Sequence, residues 1–290
     1  MNADDFGLTA GVNRAILELH AAGVLTSTTL MARGGAADAA VKAALGVPSL
    51  GVGCHVVLVD GEPALEPSRI PTLVNQKTGR FRDSLNSFLM RLFSRRISSE
   101  EIEAEASAQI ALLRAHGLRL THIDTHKHTH MFPWVLRPVL RAARKAGISA
   151  VRNPFEPVWA VRATAGASWA RCAEVSALRR LESACRRVIE EEEFATTDGT
   201  IAVVGTGVLN RETVRSLLKD LPEGTWELVT HPGYNDADLD KVRTRLRGSR
   251  EVERVALDAV NEFPGLDLIN FGELMNFGGL AAPEKRVAES

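Results

Sequence analysis

The chain has 290 residues, a formal net charge of −1 and an apolar fraction of 45%, values typical of a globular protein with one large α/β domain or two small ones. So small a net charge provides no general attraction to nucleic acid, and we expect none as a partner. The three cysteines do not make a disulfide framework and indicate reduced thiols. The polar N-terminus does not resemble a signal peptide, so we expect none, and no apolar run approaches the roughly 18 residues of a membrane span. The sequence therefore predicts a cytoplasmic protein without a transmembrane segment.

Short apolar runs alternate with helical patterns along the chain, which favours βα units and a largely parallel sheet. The first helix is predicted over 9–22, where Val12, Ile16 and Leu19 share a face and Gly23 can adopt the left-handed conformation after the end. The other predicted elements are helices after the capping box at Ser98 and Glu101 and over 133–146, and strands over 27–31, 51–56, 120–125, 149–152, 200–204, 227–230 and 266–271.

Two segments depart from this alternation. Residues 59–97 contain turn residues without a clear strand–helix pattern, and we expect them to form an insertion or lid beside the functional site. Residues 173–193 are predicted to form one charged helix with a solvent-exposed face. We expect a single domain over 1–278, and residues 279–290 to form a flexible tail.

Several predicted strands end in polar residues that a packed core does not require. In a β/α barrel or an open α/β sheet the carboxyl ends of the strands carry the functional site, so we expect these side chains to converge there. They are His55, Asp124, His126, Arg152, Asn153, His231 and Asn270.

Two adjacent carboxylates, Asp4 and Asp5, precede a Phe-Gly turn near the N-terminus. Acids at this position could cap the following helix, whose positive dipole end favours them. Considered together with the histidine-rich run at 122–130, they suit a mononuclear metal hydrolase, in which one carboxylate binds the ion and its neighbour acts as a base. Neighbouring residues on a strand point in opposite directions, so this interpretation requires a local twist that aims both at one site.

Four of the eight histidines lie within 122–130, and a single ion cannot bind all of them. The strand is expected to end just before His126, which places this residue at a strand end as a ligand. His128 and His130 then lie in the following loop, where they contact substrate, orient a ligand or form ordinary hydrogen bonds. Asp124 is expected to orient a histidine through its second ring nitrogen.

Other candidate residues are ambiguous on local grounds. His55 lies in an apolar strand, where a lone histidine is usually a hydrogen-bonded core residue, and Cys54 beside it points to the opposite face and is expected to be buried. His231 ends a strand at a Pro-Gly turn, so a turn role and a chemical role are equally open. Arg152 and Asn153 end another strand and are candidates for contacting substrate or for orienting the ligands.

Five motifs stand together in this chain: Asn2-Ala3-Asp4-Asp5-Phe6-Gly7, Gly11-Val12-Asn13, Thr26-Ser27-Thr28-Thr29, Gly53-Cys54-His55 and the run 121–133. Together they resemble the YdjC-like carbohydrate deacetylases, the family of the chitooligosaccharide deacetylases (ChbG). The likeness extends from residue 2 to about residue 275. The segments 152–157 and 268–274 are more similar to the hopanoid-biosynthesis-associated branch, HpnK.

The resemblance implies a distorted (β/α) TIM-like barrel of the glycoside hydrolase/deacetylase type that removes an acetyl group from an amino sugar. It implies that Asp5, His55 and His126 hold one divalent metal ion, that Asp4 acts as the base and that His231 acts as the general acid. Imidazole and carboxylate ligands suit zinc, manganese or cobalt, and the family is associated with zinc or magnesium. We therefore expect zinc or magnesium, with zinc favoured for activity.

The hopanoid branch implies that the substrate is an N-acetylated glucosaminyl hopanoid lipid precursor, with a chitooligosaccharide as the alternative. Three other classes of protein stay open. A non-haem iron oxygenase uses the same two histidines and carboxylate, and a metal-free glycosidase could pair Asp4 or Asp5 with Asp124. The third is a non-catalytic protein that binds a metal or a sugar.

A lipid-linked substrate draws attention to residues 88–96, which mix large apolar side chains with three arginines. This composition is typical of an interfacial helix and predicts peripheral contact with a membrane. The alternative role of the segment is an ordinary lid or a contact within a homodimer, which is the oligomeric state that we expect.

The N-terminus departs from the family pattern. Family members usually have a hydrophobic strand before Asn-Ala-Asp-Asp, whereas here only Met1 precedes this motif. We expect a missing first strand to leave an unpaired barrel edge and to loosen Asp4 and Asp5.

Overall fold

A six-stranded parallel sheet organises residues 1–277, the part of the chain that the structure, a computed structural model, describes. The strands are β1 (Asn2–Phe6), β2 (Ser27–Leu30), β3 (Gly51–Val56), β4 (Ile123–Thr125), β5 (Gly199–Ile201) and β6 (Trp226–Thr230). Their spatial order is β4-β3-β2-β1-β6-β5, and each neighbouring pair is parallel. The predicted α/β class is confirmed. The tail predicted over 279–290 lies outside the described residues.

The sheet curls into a half-barrel, and an irregular segment at 150–155 links its two edge strands. On one side, the backbone N–H of Arg152 donates to the carbonyl of Ile123 in β4 at 3.2 Å. On the other side, the N–H of Thr200 in β5 donates to the carbonyl of Phe155, also at 3.2 Å. Because isolated bridges and a few backbone hydrogen bonds replace a regular ladder here, the barrel is distorted, as the resemblance implies.

Ten α-helices connect and cover the strands within the described residues, and their apolar faces form the core together with the sheet. They are α1 (Ala10–Ala21), α2 (Ala37–Leu45), α3 (Leu85–Phe93), α4 (Ser99–Ala115), α5 (Pro133–Lys145), α6 (Val158–Ala163), α7 (Trp169–Leu178), α8 (Glu182–Glu191), α9 (Arg211–Lys219) and α10 (Ser249–Ala256).

Local capping explains why α1 agrees with its prediction. Thr9 Oγ1 accepts a hydrogen bond from the N–H of Val12 at 3.2 Å, which satisfies a backbone donor that the first turn leaves unpaired. Val12, Ile16 and Leu19 are buried along one face. Gly23 follows the helix with a φ of +74°, the left-handed conformation that glycine adopts without strain.

The helices predicted after Ser98 and over 133–146 are also confirmed. Ser98 Oγ accepts from the N–H of Glu101 at 3.2 Å at the start of α4. Helix α5 begins at Pro133, where the missing N–H of proline costs nothing, and Gly147 follows its end with a φ of +73°.

The predicted strands agree with the structure only in part. Those over 27–31, 51–56 and 227–230 correspond to β2, β3 and β6, whereas those over 120–125 and 200–204 are too long. The strand predicted over 149–152 is wrong, since Ala150 and Val151 form only isolated bridges. The bridges that this segment makes, Ile123 with Val151 and Ala150 with Ala195, are single residue pairs and do not extend into a ladder.

The strand predicted over 266–271 is also wrong, because the chain turns there. Asn270 Oδ1 accepts from the N–H of Gly272 at 2.7 Å, and the N–H of Phe271 donates to Ser27 Oγ at 3.1 Å. Ser27 is the first residue of β2, so Asn270 lies near the amino ends of the strands. It does not join the polar residues at their carboxyl ends, contrary to the expectation.

The expectation of an unpaired edge at the N-terminus is wrong. Residues Asn2–Phe6 are themselves a strand at an inner position of the sheet. Asn2 is the register partner of Ser27 in β2 and of Val229 in β6. Asn2 and Ala3, which directly precede the two acids, are therefore paired with strands on both sides.

The two irregular segments contribute to packing. Residues 59–97 contain α3 and an isolated antiparallel bridge between Val74 and Phe81, and Phe81 and Phe88 are fully buried. The single helix predicted over 173–193 is wrong, because a 3₁₀ turn at Arg179–Leu181 separates α7 from α8. Helix α8 buries an apolar face made of Cys185, Val188 and Ile189. No helix within residues 1–277 has the length and apolar character to cross a membrane.

Candidate active site

A local irregularity in β1 directs two adjacent carboxylates into one buried cluster. The register of β1 against β2 shifts between Ala3 and Phe6, and Asp5 has a φ of +67°, a left-handed conformation that aspartate tolerates better than most residues. Asp4 and Asp5 are both buried, each with 3% of its surface exposed. The twist that the sequence interpretation requires is therefore present at Asp5.

The carboxyl ends of the parallel strands bring the other groups together. His55 of β3 and Asp124 of β4 are register partners, and Thr29 comes from the neighbouring β2. His126 directly follows β4, and His231 directly follows β6.

Donor atoms of Asp5, His55 and His126 lie close enough to share one metal ion. His55 Nε2 is 3.6 Å and His126 Nδ1 is 3.4 Å from Asp5 Oδ1, and the two ring nitrogens are 3.3 Å apart. Ligands bound about 2.1 Å from a tetrahedral zinc ion lie about 3.4 Å from one another, so the spacing fits. Asp5 Oδ1 is buried and has no hydrogen-bond partner among the described residues, which leaves it available to a cation.

A second group of donors, from Asp4, His55 and Asp124, also lies within range of one ion. Its atoms are already engaged, because Arg152 pairs with both carboxylates and His55 Nδ1 lies 2.7 Å from Asp124 Oδ1. Asp124 therefore orients the His55 ring so that Nε2 faces Asp5, an arrangement that metal-binding histidines commonly use. Thr29 Oγ1 supports it by donating to Asp124 Oδ2 at 3.2 Å.

Permanent negative charge exceeds positive charge in this cluster. Burial lowers the pKa of His55, but the carboxylates of Asp124 and Asp4 outweigh this effect and raise it to about 9. Either a proton on this ring or a divalent cation can supply positive charge, so metal binding is expected to release protons. Five buried carboxylates and two buried guanidinium groups form the cluster: Asp4, Asp5, Asp124, Glu227, Glu253, Arg152 and Arg250.

Arg152 is fully buried and contacts three of these carboxylates. It donates to Asp4 Oδ1 at 2.6 Å and to Asp4 Oδ2 at 2.9 Å, and to Glu227 Oε1 at 2.6 Å, and it pairs with Asp124. Burial raises the pKa of Asp4, but Arg152 and His55 together outweigh burial and hold this pKa below its ordinary value. Asp4 is therefore a carboxylate at neutral pH.

Helix α10 contributes two buried residues, Arg250 and Glu253, that lie one turn apart. Arg250 donates to Asp5 Oδ2. Although burial raises the pKa of Asp5, Arg250 and His126 hold it well below its ordinary value. The second oxygen of Asp5 is thus fixed by α10, while Oδ1 faces the two histidines.

Glu253 fixes His231 in a similar way. Its Oε2 accepts from the backbone N–H of His231 at 2.7 Å and lies 3.8 Å from the ring Nδ1, a distance at which the effect on the ring is electrostatic. Burial lowers the pKa of His231, but Glu253 together with Asp4 and Asp5 more than offsets this and the pKa is raised. His231 Nε2 lies 3.8 Å from Asp4 Oδ2, so the two groups are neighbours.

The cluster opens to solvent beside two histidines. The side chain of His126 is 20% exposed and that of His231 is 12% exposed, whereas His55 and Asp124 are at 1% or less. A small molecule can therefore approach the site from the side of His126 and His231.

Three other residues singled out from the sequence lie outside the group of shared donors. His130 Nδ1 lies 2.7 Å from Thr125 Oγ1, and burial lowers the pKa of His130 to about 3. His128 occupies the turn after β4 with a φ of +51°. Asn153 donates to the backbone carbonyls of residues 197 and 198 at 3.2 and 3.1 Å, so its amide links the closing segment to the chain before β5.

Four residues of the cluster had no role assigned from the sequence: Thr29, Glu227, Arg250 and Glu253. Glu227 carried one signal, since a charged residue in an otherwise apolar strand needs a buried partner. Arg250 and Glu253 carried none, because buried charges on a short helix have the same pattern as surface charges. Only the fold reveals that they point inward.

Comparison with known proteins connects this geometry to a family. A family model described as "YdjC-like protein" matches residues 1–261. A carbohydrate deacetylase of Brevibacillus brevis is 41% identical over 155 residues, which span 53% of this chain and 58% of that protein. A carbohydrate deacetylase of Thermoanaerobacter pseudethanolicus is 27% identical over 260 residues, which span 89% of each. The chain thus spans less than two thirds of the first relative and most of the second.

Two solved structures share the fold. One is an Enterococcus faecalis protein whose suggested activity is cellobiose-phosphate cleavage, with a TM-score of 0.73 and 26% identity, covering 94% of this chain and 97% of that chain. The other is the lactam utilization protein of Thermus thermophilus, with a TM-score of 0.50 and 16% identity over 93% of this chain and 98% of that chain. The second likeness concerns the fold alone.

Proposed function

The chain belongs to the YdjC-like family, and we propose on this basis that it removes the acetyl group from an N-acetylated amino sugar by metal-dependent hydrolysis. The observation that carries the proposal is the triangle of donor atoms from Asp5, His55 and His126, in which Asp5 Oδ1 has no hydrogen-bond partner among the described residues. The names of the curated relatives support the reaction and the class of substrate.

Asp5, His55 and His126 would hold one divalent ion and would leave positions open for water and substrate. When bound, such an ion polarises the acetamide carbonyl and lowers the pKa of water. The imidazole ligands favour zinc, with magnesium, manganese and cobalt as alternatives.

Asp4 would act as the general base. Its Oδ2 accepts one hydrogen bond, from Arg152, and a carboxylate oxygen has a further lone pair. Because the pKa of Asp4 is held low, this oxygen is unprotonated and can take a proton from the water that attacks the acetamide carbon.

His231 would act as the general acid. Its raised pKa favours the protonated ring, which can donate to the amide nitrogen as the carbon–nitrogen bond breaks. The products are acetate and the free amino sugar. Asp4 Oδ2 and His231 Nε2 lie on the same side of the cluster, 3.8 Å apart. A base and an acid that take part in the hydrolysis of one amide bond must be neighbours in this way.

For the sugar itself, we propose an N-acetylated glucosaminyl hopanoid lipid precursor. The support is the likeness of segments 152–157 and 268–274 to that branch of the family, and a chitooligosaccharide is the alternative. The homodimer and the cytoplasmic location stay predictions, which sedimentation of the purified protein and cell fractionation would test.

The decisive experiment measures acetate release from an N-acetylglucosaminyl lipid and from diacetylchitobiose. The apo-protein is reloaded with zinc, magnesium, manganese or cobalt before the assay. Release that requires metal supports the proposed reaction, and the preferred substrate identifies the branch. Release that persists in chelator would favour a metal-free hydrolase, and no release with any metal would favour a binding protein.

Substitution of the adjacent acids separates their roles. We expect Asp5→Asn to lose bound metal, because a neutral amide replaces a charged ligand. Asp4→Asn should keep the metal but lose roughly 10²- to 10⁴-fold in kcat, the usual contribution of a general base. Metal content and kcat are measured together, with Asp38→Asn, an exposed acid on α2, as the matched control. Full activity of Asp4→Asn would refute the base assignment.

A further inference from the structure

Large apolar side chains at the surface meet where α3 approaches the start of α5. Met90, Phe93 and Trp134 are 68%, 58% and 60% exposed. The ring centroid of Phe93 lies 6.3 Å from that of Trp134 and 5.5 Å from that of Phe132. These exposed side chains therefore form one contiguous surface, which we call the α3–α5 patch together with Arg95 and Arg96 at its margin.

A groove of about 430 Å³ continues the patch inward between α3, α4 and α5. Its lining is mainly apolar, with Leu92, Ile97, Ile102 and Pro138 among the contributors. An exposed apolar surface with an apolar groove is uncommon in a monomer and marks a place where something else binds.

The charges beside the patch are positive and unpaired. Within residues 1–277, Arg82, Arg91, Arg95 and Arg96 have no carboxylate oxygen within 4.0 Å. Burial and the neighbouring Arg91 lower the pKa of Arg82, a sign that these cations repel one another.

The acids nearest in sequence are already engaged and do not neutralise this group. Asp83 pairs with Arg243, and Glu100 accepts from Ser98. Arg137 of α5, which also lines the groove, behaves differently, since it pairs with Glu191 and Glu192. The α3–α5 patch thus has four arginines beside it that no carboxylate within 4.0 Å neutralises in the described part of the chain.

We propose that the α3–α5 patch docks the protein on an anionic lipid bilayer. Aromatic and thioether side chains gain by entering the boundary between headgroups and acyl chains, while the flanking arginines pair with lipid phosphates. An anionic membrane complements both properties of the patch, whereas a neutral apolar partner would leave the four arginines unpaired.

Docking in this orientation places the candidate active site near the membrane. Trp134 lies in the first turn of α5, which follows the turn His126–Met131 at the carboxyl end of β4. The patch therefore lies at the same end of the barrel as His126. Docking does not depend on the proposed deacetylation, but it would bring a lipid-linked sugar to the site.

Flotation with vesicles tests the proposal. The full chain is mixed with vesicles of phosphatidylcholine alone or with phosphatidylglycerol added, at low and high salt. We expect binding to the anionic vesicles only, weakened by salt because screening reduces attraction to the surface. Phe93→Asp should lower the partition coefficient more than tenfold, and Arg95→Gln and Arg96→Gln about fivefold each.

Leu45→Asp is the matched control. Leu45 is 52% exposed at the C-terminal end of α2, which leads to the amino end of β3 and thus lies at the opposite end of the barrel. This variant should float like the wild type, and all variants should keep the wild-type melting temperature and acetate release from a soluble substrate.

Three results would overturn the proposal: no flotation of the wild type, equal flotation on neutral vesicles, or an equal loss in Leu45→Asp and Phe93→Asp. A dimer in solution that Phe93→Asp dissociates, with no binding to vesicles, would assign the patch to a second copy of the chain. Deacetylation could fail while flotation succeeds, so the two proposals are tested separately.

Discussion

Arg152 shows how one side chain makes a cluster of acids compatible with folding. Its buried guanidinium contacts Asp4, Asp124 and Glu227, and the carboxylates in turn hold the pKa of Arg152 well above its ordinary value despite burial. Removing one partner from a buried ionic group leaves charges without compensation, which costs more than the intact group contributes.

We therefore expect Arg152→Met to destabilise the protein by about 3–5 kcal/mol. The free energy of unfolding would be measured by urea titration at pH 7. The control is Arg80→Met, because Arg80 is about half-exposed and pairs with the similarly exposed Glu62, and such a pair contributes about 0–1 kcal/mol. Equal losses in the two variants would mean that burial of the Arg152 group has no special importance.

At the scale of elements, helix α10 supports two residues with different proposed roles, the metal ligand Asp5 and the general acid His231. One face carries Arg250, which binds Asp5, and Glu253, which supports His231. A helix places residues three apart on one side, so a single element fixes the ligand carboxylate and the candidate acid together. This role was not visible in the sequence, because inward-facing charges on α10 have the pattern of a surface helix.

Substitution of Glu253 tests this coupling. Since Glu253 raises the pKa of His231, Glu253→Gln should lower that pKa. An acid must be protonated to act, so the basic limb of the kcat/KM profile should move to lower pH. At pH 8 we expect a loss of roughly 10- to 100-fold, typical of groups that support a site residue. The control is Glu251→Gln, an exposed neighbour on α10. An unchanged basic limb would contradict the role of Glu253.

Elements with local end signals were predictable, and those without them were not. Thr9, Pro133 and Gly147 mark the ends of α1 and α5 through short-range hydrogen bonding and backbone geometry, and both helices agree with the sequence. The strands predicted over 149–152 and 266–271 are absent because pairing depends on which strands lie alongside, and no local residue pattern records that.

At the scale of the whole molecule, a titratable side chain, that of Glu156, lies beside the segment that links the two edge strands of the half-barrel. Glu156 lies just beyond the 150–155 segment and accepts from the N–H of Val204 at 2.6 Å, next to β5. Burial is the largest effect on its pKa, which is raised to about 7 although backbone N–H groups at 202–204 lower it. The charged form of Glu156 is therefore disfavoured in the folded chain.

This shift predicts a pH dependence of stability. Between pH 4.5 and about 7 the folded chain binds more protons at Glu156 than the unfolded chain does. The contribution of Glu156 to the free energy of unfolding is therefore fully present below its pKa in the unfolded chain. It is lost as the pH rises through its pKa in the folded chain. The difference in unfolding free energy between the wild type and Glu156→Gln should change by about 3 kcal/mol across this window.

Urea titrations at pH 4.5, 6 and 7.5 would measure it, with the wild type losing stability relative to Glu156→Gln as pH rises. Glu190→Gln, an exposed acid on α8, should follow the wild type at every pH. Parallel curves for the wild type and Glu156→Gln would show that Glu156 titrates in the folded chain as it does in the unfolded one.

The sequence by itself determined the α/β class, the helices with strong caps, the family resemblance and the candidates Asp4, Asp5, His55, His126 and His231, because periodicity, capping and motif spacing are properties of short stretches. Tertiary structure decided how these residues meet. The shift in β1 aims both acids inward, the first strand lies inside the sheet, and buried cations from the 150–155 segment and α10 support the cluster. These features depend on contacts between residues distant in the chain, and the free energy of burying a charge is set by its neighbours in space.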